Sequence, residues 1–171
     1  MDELCFEISQ FNSKLYRVSE FVHSLINHQE NAGLLWYEPT IKYARFPPLD
    51  VHVDDKEAID RNAREEHTEV FDVLDWLKHK KHVNSIIELK VPDRLVNPHN
   101  ELLIANYVAD FGIEILDWRF LDMSLSIFPA DTVKLRIREL HLYSSGKRAA
   151  ISHWFSEEGL ITFPNASLPQ P

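Results

Sequence analysis

Residues 4 to 26 place apolar side chains at steps of three and four: Leu4, Ile8, Phe11, Leu15, Val18, Val22, Leu25 and Ile26, with Phe6, Tyr16 and Phe21 widening the stripe. That period predicts an amphipathic helix from the start of the chain, and Asn31 and Gly33 supply its stop. Cys5 falls on the apolar side of this stripe. Residues 34–37 are a short apolar run before Pro39. Residues 40–53 read as extended, with Ile41, Tyr43 and Ala44 strand-compatible and Pro47-Pro48 barring a continuing central strand. Residues 54–67, DDKEAIDRNAREEH, are charged with few apolar groups and predict a loop passing into a helix. The firm helical part is 68–80, whose face is Val70, Phe71, Leu74 and Leu77, with Trp76 adding bulk.

From residue 83 the pattern becomes a succession of strand-like and helix-like runs. Residues 83–91 predict a strand, 92–98 a turn-rich loop, 99–111 a helix stopped by Gly112, and 113–118 a second strand. Residues 121–128 predict a short helix or helical turn broken at Pro129, 133–143 a third strand, 147–155 a helix, and 161–163 the start of a fourth strand. The order β-α-β-α-β-α, with strand starts about 25 residues apart, points to an α/β fold with a parallel sheet and right-handed crossovers. Two architectures fit: a short leucine-rich-repeat-like β-α array preceded by the N-terminal helix, or a three-layer open α/β sheet. The regular spacing favours the first, although no strict L-x-x-L-x-L-x-x-N pattern occurs. The expected layout is an N-terminal amphipathic helix over 1–33, an extended segment, charged loop and helix over 34–82, and the β-α region over 83–171, together one compact domain.

Charge narrows the function classes. The 171 residues carry a net charge of -9, and the sequence pI is near 5.4, the opposite of a phosphate-tracking surface. The one dense basic cluster, KHKKH at 78–82, lies at a helix end where cations favour the macrodipole. A lone cysteine excludes an internal disulfide. No secretory leader pattern opens the chain and no apolar run approaches the ~20 residues of a membrane span. An intracellular, cytoplasmic protein without nucleic-acid or membrane partners is the expectation.

Little in the sequence points to catalysis. The stretch YSSGKRAA, 143–150, has the strand, Gly-Lys, helix order of a phosphate loop but one glycine and the wrong spacing, so Ser144 or Ser145 is expected to cap the next helix. Ser152 and His153 are neighbours and point apart on a helix, and no G-x-S-x-G elbow occurs. The nine histidines include no H-E-x-x-H or Cys/His spacing, so no metal is expected; His99 and His141 are isolated. Asp117 and Asp122 flank DWRFLD, a carboxylate pair read as a strand end and a helix cap. No cofactor is implied.

Three stretches together, 54–91, 97–124 and 133–160, resemble a region of large fungal intracellular proteins that lies before a subtilisin-like (S8) serine protease domain. The matching pieces are a DWL helix, an I-I-x-x-x-V strand, PH opening a helix, FG-I-E-x-x-D-W, and LYSSG with a later Trp. The resemblance covers residues 40–160. It implies a non-catalytic region, because the protease triad lies further along the parent chains and none of its motifs occurs here. The family's usual GLPKL continuation is replaced by GLITFPNASLPQP, as expected of an excised domain or of a short relative without the protease part.

The functional expectation is a non-catalytic interaction or regulatory domain associated with a subtilisin-like protease, its partner a protein or the adjacent protease domain. The alternative is a small nucleotide-binding or hydrolytic α/β domain. Parallel α/β sheets present ligand-facing loops at the carboxyl ends of their strands. The candidate binding surface is therefore Asp93, Arg94, His99, Asp117, Arg119, Ser144, Ser145, Lys147 and Arg148, with Trp118 and Trp154 either lining that edge or buried in the core.

Overall fold

The computed structural model describes residues 5–9, 18–31, 39–50, 66–128 and 131–167. Five strands form one sheet, all parallel: β1 (Cys5–Glu7), β2 (Thr40–Arg45), β3 (Ser85–Val91), β4 (Ile115–Trp118) and β5 (Glu139–Leu140). The helices between them are α1 (Val18–Asn31), α2 (Glu69–Lys80), α3 (Glu101–Phe111) and α4 (Asp131–Arg136), and α5 (Arg148–Trp154) follows β5. The chain is thus α/β, as its pattern predicted. Spatial strand order repeats chain order, β1-β2-β3-β4-β5. Among the described residues the order never reverses, so these five strands form no switch-point crevice of the kind in which open doubly wound folds hold their ligands.

Register sets the two faces of the sheet. Phe6, Ala44, Leu89, Leu116 and Leu140 align across all five strands and are buried. Against this core lie Val70, Phe71, Val73, Leu74, Trp76 and Leu77 of α2 and Ile104, Ala105, Val108 and Phe111 of α3. Alternation of side chains along a strand puts the intervening residues on the opposite face.

Local signals explain most boundaries. Asn100 caps α3, its side chain accepting from Leu102 N–H at 3.0 Å and Leu103 N–H at 3.2 Å. Gly112 ends it in the left-handed region at φ 61°, where a Cβ is strained. Helix α2 carries Glu69 and Asp72 in its first turn and Lys78, His79 and Lys80 in its last, each matching the macrodipole.

Three expectations are corrected. Cys5 is on edge strand β1, paired with Tyr43, and not on a helix; partner pairing overrode the helical period there. The predicted strand 133–143 is mostly helix α4, because Val133 and Ile137, four apart, are the buried positions and only Glu139–Leu140 joins the sheet. Residues 161–163 lie at a 3₁₀ turn (Leu160–Thr162) that seats Phe163 edge-on against Phe128, centroids 5.5 Å apart. Within 121–128 the expected helical turn is a 3₁₀ turn at Leu125–Ile127. The charged run 54–67 lies almost wholly outside the described residues. Trp118 and Trp154 are both buried in the core.

Candidate functional site

The exits of β3 and β4 converge on a buried polar network. Asp93, fully buried, follows the Val91-Pro92 end of β3. Its Oδ1 accepts from Arg94 N–H at 2.7 Å and meets His99 Nδ1 at 2.9 Å. Its Oδ2 accepts from His99 N–H at 3.1 Å and from the Trp118 indole N–H at 2.8 Å. One carboxylate therefore closes loop 93–99 and ties it to β4. Beyond it, Glu69 at the start of α2 pairs with Arg94 and lies 3.7 Å from His99 Nε2. The Phe71 and Trp118 rings wall the imidazole edge-on, centroids 5.1 and 5.8 Å away. Arg119 locks the outside, donating from Nε to the Asp93 carbonyl at 2.8 Å and pairing with Asp50.

This network is unfinished. Arg94 Nε and Nη1 and His99 Nε2 are buried and have no hydrogen-bond partner among the described residues. Each such group costs about 1–3 kcal/mol relative to a paired one.

On the opposite side of the pleat, β-strand register lines up charges. The Arg45, Lys90 and Asp117 positions pair across β2, β3 and β4, as do Tyr43, Glu88, Ile115 and Glu139 across β2 to β5. Arg45 bridges Glu88 at 3.0 Å, Lys90 bridges Asp117 at 2.7 Å, and His141 meets Glu139 at 2.8 Å. Arg45 also stacks over Tyr43, 4.3 Å from its centroid. Tyr143 donates its hydroxyl to Asp117 at 2.6 Å. The Lys90 side chain is 48 % exposed and Arg45 37 %, so this part of the face meets solvent. Toward the strand N-termini the same parity brings Ile41 and Ile86, both fully buried, so the polar area begins at Tyr43 and Glu88.

The turn after Tyr143 is organised from outside itself. Asp122, in the left-handed region at φ 59°, accepts from Ser145 N–H at 2.8 Å and from both serine hydroxyls. Ser144 Oγ in turn accepts from Gly146 N–H at 2.9 Å. Lys147 Nζ stands 3.6 Å from Asp122. Asp122 therefore braces this turn and does not cap the helix after it. Neither serine caps α5, whose N-cap position is Lys147 with no side-chain cap.

The nine expected surface residues thus divide. Asp93, Arg94 and His99 come together but are buried, and Asp117 is buried between Lys90 and Tyr143. Arg119 is half-buried and joins loop 93–99 to β4. Ser144, Ser145, Lys147 and Arg148 are exposed at a separate turn held to Asp122. Glu69, Lys90, Arg45, Glu88 and Tyr143 were absent from the candidate set; register across strands is the signal that finds Arg45, Glu88 and Lys90, whereas Glu69 on α2 and Tyr143 beyond β5 come in only through tertiary contacts.

Among the described residues, no group of three or more His, Cys, Asp or Glu side chains is placed to hold a metal ion, and no helix is long and apolar enough to cross a membrane. Ser124 Oγ lies 3.3 Å from His153 Nε2, but that nitrogen also accepts from Leu125 N–H at 3.2 Å. The imidazole therefore caps a 3₁₀ turn, with its lone pair already engaged by an amide. No protein-family model, curated protein or solved structure matches the chain.

Ionisation couples the network to stability. Burial alone raises the pKa of Asp93, Glu69 and Asp117, but specific contacts outweigh it and all three are held below the usual carboxylate range. The contacts are His99, the Trp118 indole and Arg94 N–H for Asp93; Arg94 and His99 for Glu69; and Lys90, Tyr143 and His141 for Asp117. Depressed carboxylates contribute stability that is complete above their unfolded pKa and lost as pH falls through the folded one. Urea midpoints are therefore expected to be level from neutral pH down to about 5 and to fall steeply below about 4. A midpoint unchanged at pH 3 would contradict the ionised network. Burial, then Asp117, pushes the Tyr143 phenol up to about 12, so it stays a donor at every ordinary pH.

Proposed function

We propose that this chain is a non-catalytic protein-interaction domain, of the kind that precedes subtilisin-like protease domains, and that it recognises its partner through the charged face of its sheet. One observation carries the reading: a parallel sheet presents a solvent-facing ladder of Tyr43, Arg45, Glu88, Lys90, Glu139 and His141. Parallel strands usually have both faces covered and read as apolar runs. Charges spaced along a rigid sheet fix register and partner choice more than raw affinity, because each is already paired in the free protein. The strand-exit loops border this face, and loop 93–99 is held rigid by Asp93.

The nucleotide-binding alternative lacks support. The sheet has no order reversal, and the Lys147 amine stands beside Asp122, where a phosphate would meet a carboxylate. The test pairs two assays on the purified chain. Titration calorimetry against a subtilisin-like protease domain of the resembled family is expected to give binding that weakens about tenfold or more in an Arg45→Glu, Lys90→Glu variant. A fluorophosphonate probe is expected to leave every serine unmodified; labelling of Ser124, Ser144 or Ser145 would replace this reading with a hydrolase.

A further inference from the structure

We infer that the centre of the charged face is a carboxylate site: Arg45 and Lys90, neighbours on β2 and β3, together donate to one Asp or Glu side chain of a protein partner. This rests on the interaction-domain reading and names the chemistry of the partner it takes.

Register and exposure put the donors side by side in solvent. Arg45 and Lys90 are register partners, and strands so paired lie about 5 Å apart. Each cation is the open half of its ion pair. The Lys90 side chain is 48 % exposed against 8 % for Asp117, and Arg45 37 % against 26 % for Glu88. Neither pair exhausts its donors. Glu88 meets Nε and Nη2 of Arg45 through a single oxygen, which leaves Nη1 and the second Nη2 hydrogen. Asp117 takes one ammonium hydrogen of Lys90 and is shared with the Tyr143 hydroxyl. Among the described residues, no further acceptor meets either side chain. The guanidinium is also held in place, stacked over the Tyr43 ring and pinned at its Nε edge by Glu88. A planar fork fixed in advance loses little freedom on meeting a carboxylate, and charge-assisted bonds to one are stronger than bonds to a neutral carbonyl.

The flanks limit how much negative charge fits. Glu7, exposed on β1, is the register partner of Arg45. On the other side Glu139, 36 % exposed, stands on β5. The exposed charges therefore run negative, positive, positive, negative from β1 to β5. A single carboxylate at the centre meets the two cations. A run of acidic residues or a phosphate chain also meets Glu7 and Glu139 and is repelled. The net charge of -9 opposes polyanions at longer range. The occupant is thus a protein segment with one acidic residue between neutral or basic neighbours. Tyr43 and Ile115, partly exposed in the adjoining row of the same face, offer apolar surface to the stems of those neighbours.

The experiment selects binders to the full chain from a displayed library of random linear peptides. Each enriched peptide is remade with its Asp and Glu residues replaced singly by Asn and Gln. Fluorescence anisotropy then compares the wild type, Arg45→Gln, Lys90→Gln and, as a cation at a separate turn, Lys147→Gln. All three positions are partly or fully exposed, and circular dichroism checks that the variants fold. One acidic position per peptide is expected to lose about tenfold or more on amide replacement, with a similar loss in Arg45→Gln and Lys90→Gln and little change in Lys147→Gln. In Arg45→Gln and Lys90→Gln the amide replacement is expected to cost less than it does in the wild type, because part of the contact is already gone. Amide-replaced peptides that bind the wild type as tightly as their parents, while Lys90→Gln still weakens them, would overturn the carboxylate site and leave the charged-face reading standing. Enrichment of acidic runs, or an equal loss in Lys147→Gln, would overturn it in favour of a net-charge effect. Binders indifferent to both Arg45→Gln and Lys90→Gln would overturn it as well. So would a library yielding no binder, and the charged-face reading would then rest on the titration with the protease domain alone.

Discussion

Asp93→Ala is expected to lower unfolding free energy by about 3–5 kcal/mol, the range for removing one partner from a buried charged network. The carboxylate receives four donors: two backbone N–H groups, the His99 ring and the Trp118 indole. Alanine leaves all four in a place water does not reach, and leaves Glu69 to face Arg94 and His99 alone. It also opens loop 93–99, which no other described side chain closes from both ends. Asp93→Asn keeps one oxygen acceptor and is expected to fall between alanine and wild type. Asp50→Ala is the contrast, since its pairing with Arg119 is partly exposed and such pairs are worth about 0–1 kcal/mol. Urea denaturation followed by tryptophan fluorescence reads all three, because Trp118 is itself a member of the network. A loss below about 1 kcal/mol for Asp93→Ala would mean that the network carries no more than a surface ion pair.

Asp93 also marks where sequence reading stops. As a strand-exit residue it was legible: Pro92 ends β3, and the loop to Pro98 follows. Its burial was not, because that depends on His99 six residues on, Trp118 twenty-five on and Glu69 on another helix. His99 looked isolated for the same reason. Elements with strong local punctuation were read well, such as α3 with Asn100 before it and Gly112 after it, or α2 with its charged ends. Elements made by pairing were not. Three residues, Cys5–Glu7, form a strand only because β2 offers them an edge, and their apolar spacing also fits a helix. In 133–143 the reverse holds: the run was read as a strand, but Val133 and Ile137 turn the same side of a helix to the core, and the sheet keeps two residues. The charged ladder was the largest omission. Arg45, Glu88 and Lys90 each look like ordinary surface residues in sequence, and only a common register makes them a row with Asp117.

That row implies an asymmetry between neighbouring positions. Leu89 and Lys90 are adjacent in β3 and face opposite sides. Leu89 is 1 % exposed, in line with Ala44, Leu116 and Leu140. Leu89→Ala removes methyl and methylene groups from the middle of that row and leaves a cavity that strands hydrogen-bonded on both sides cannot collapse to fill. A loss of about 2–5 kcal/mol is expected. Lys90→Ala removes a half-exposed amine bridging Asp117, and Tyr143 still donates to that carboxylate. Its expected cost is at most about 1 kcal/mol. If the proposed interaction with a subtilisin-like protease domain holds, the order reverses for that binding: Lys90→Ala is expected to weaken it, and Leu89→Ala, where it remains folded, to leave it unchanged. Parallel urea and calorimetric titrations of the two variants check both halves. Equal destabilisation by both would mean the Lys90 face is packed as tightly as the Leu89 face, and a sheet covered on both sides has no charged surface to offer a partner. A sheet with one sealed face and an exposed charged area on part of the other separates the two properties residue by residue, so stability and recognition can be altered independently along a single strand.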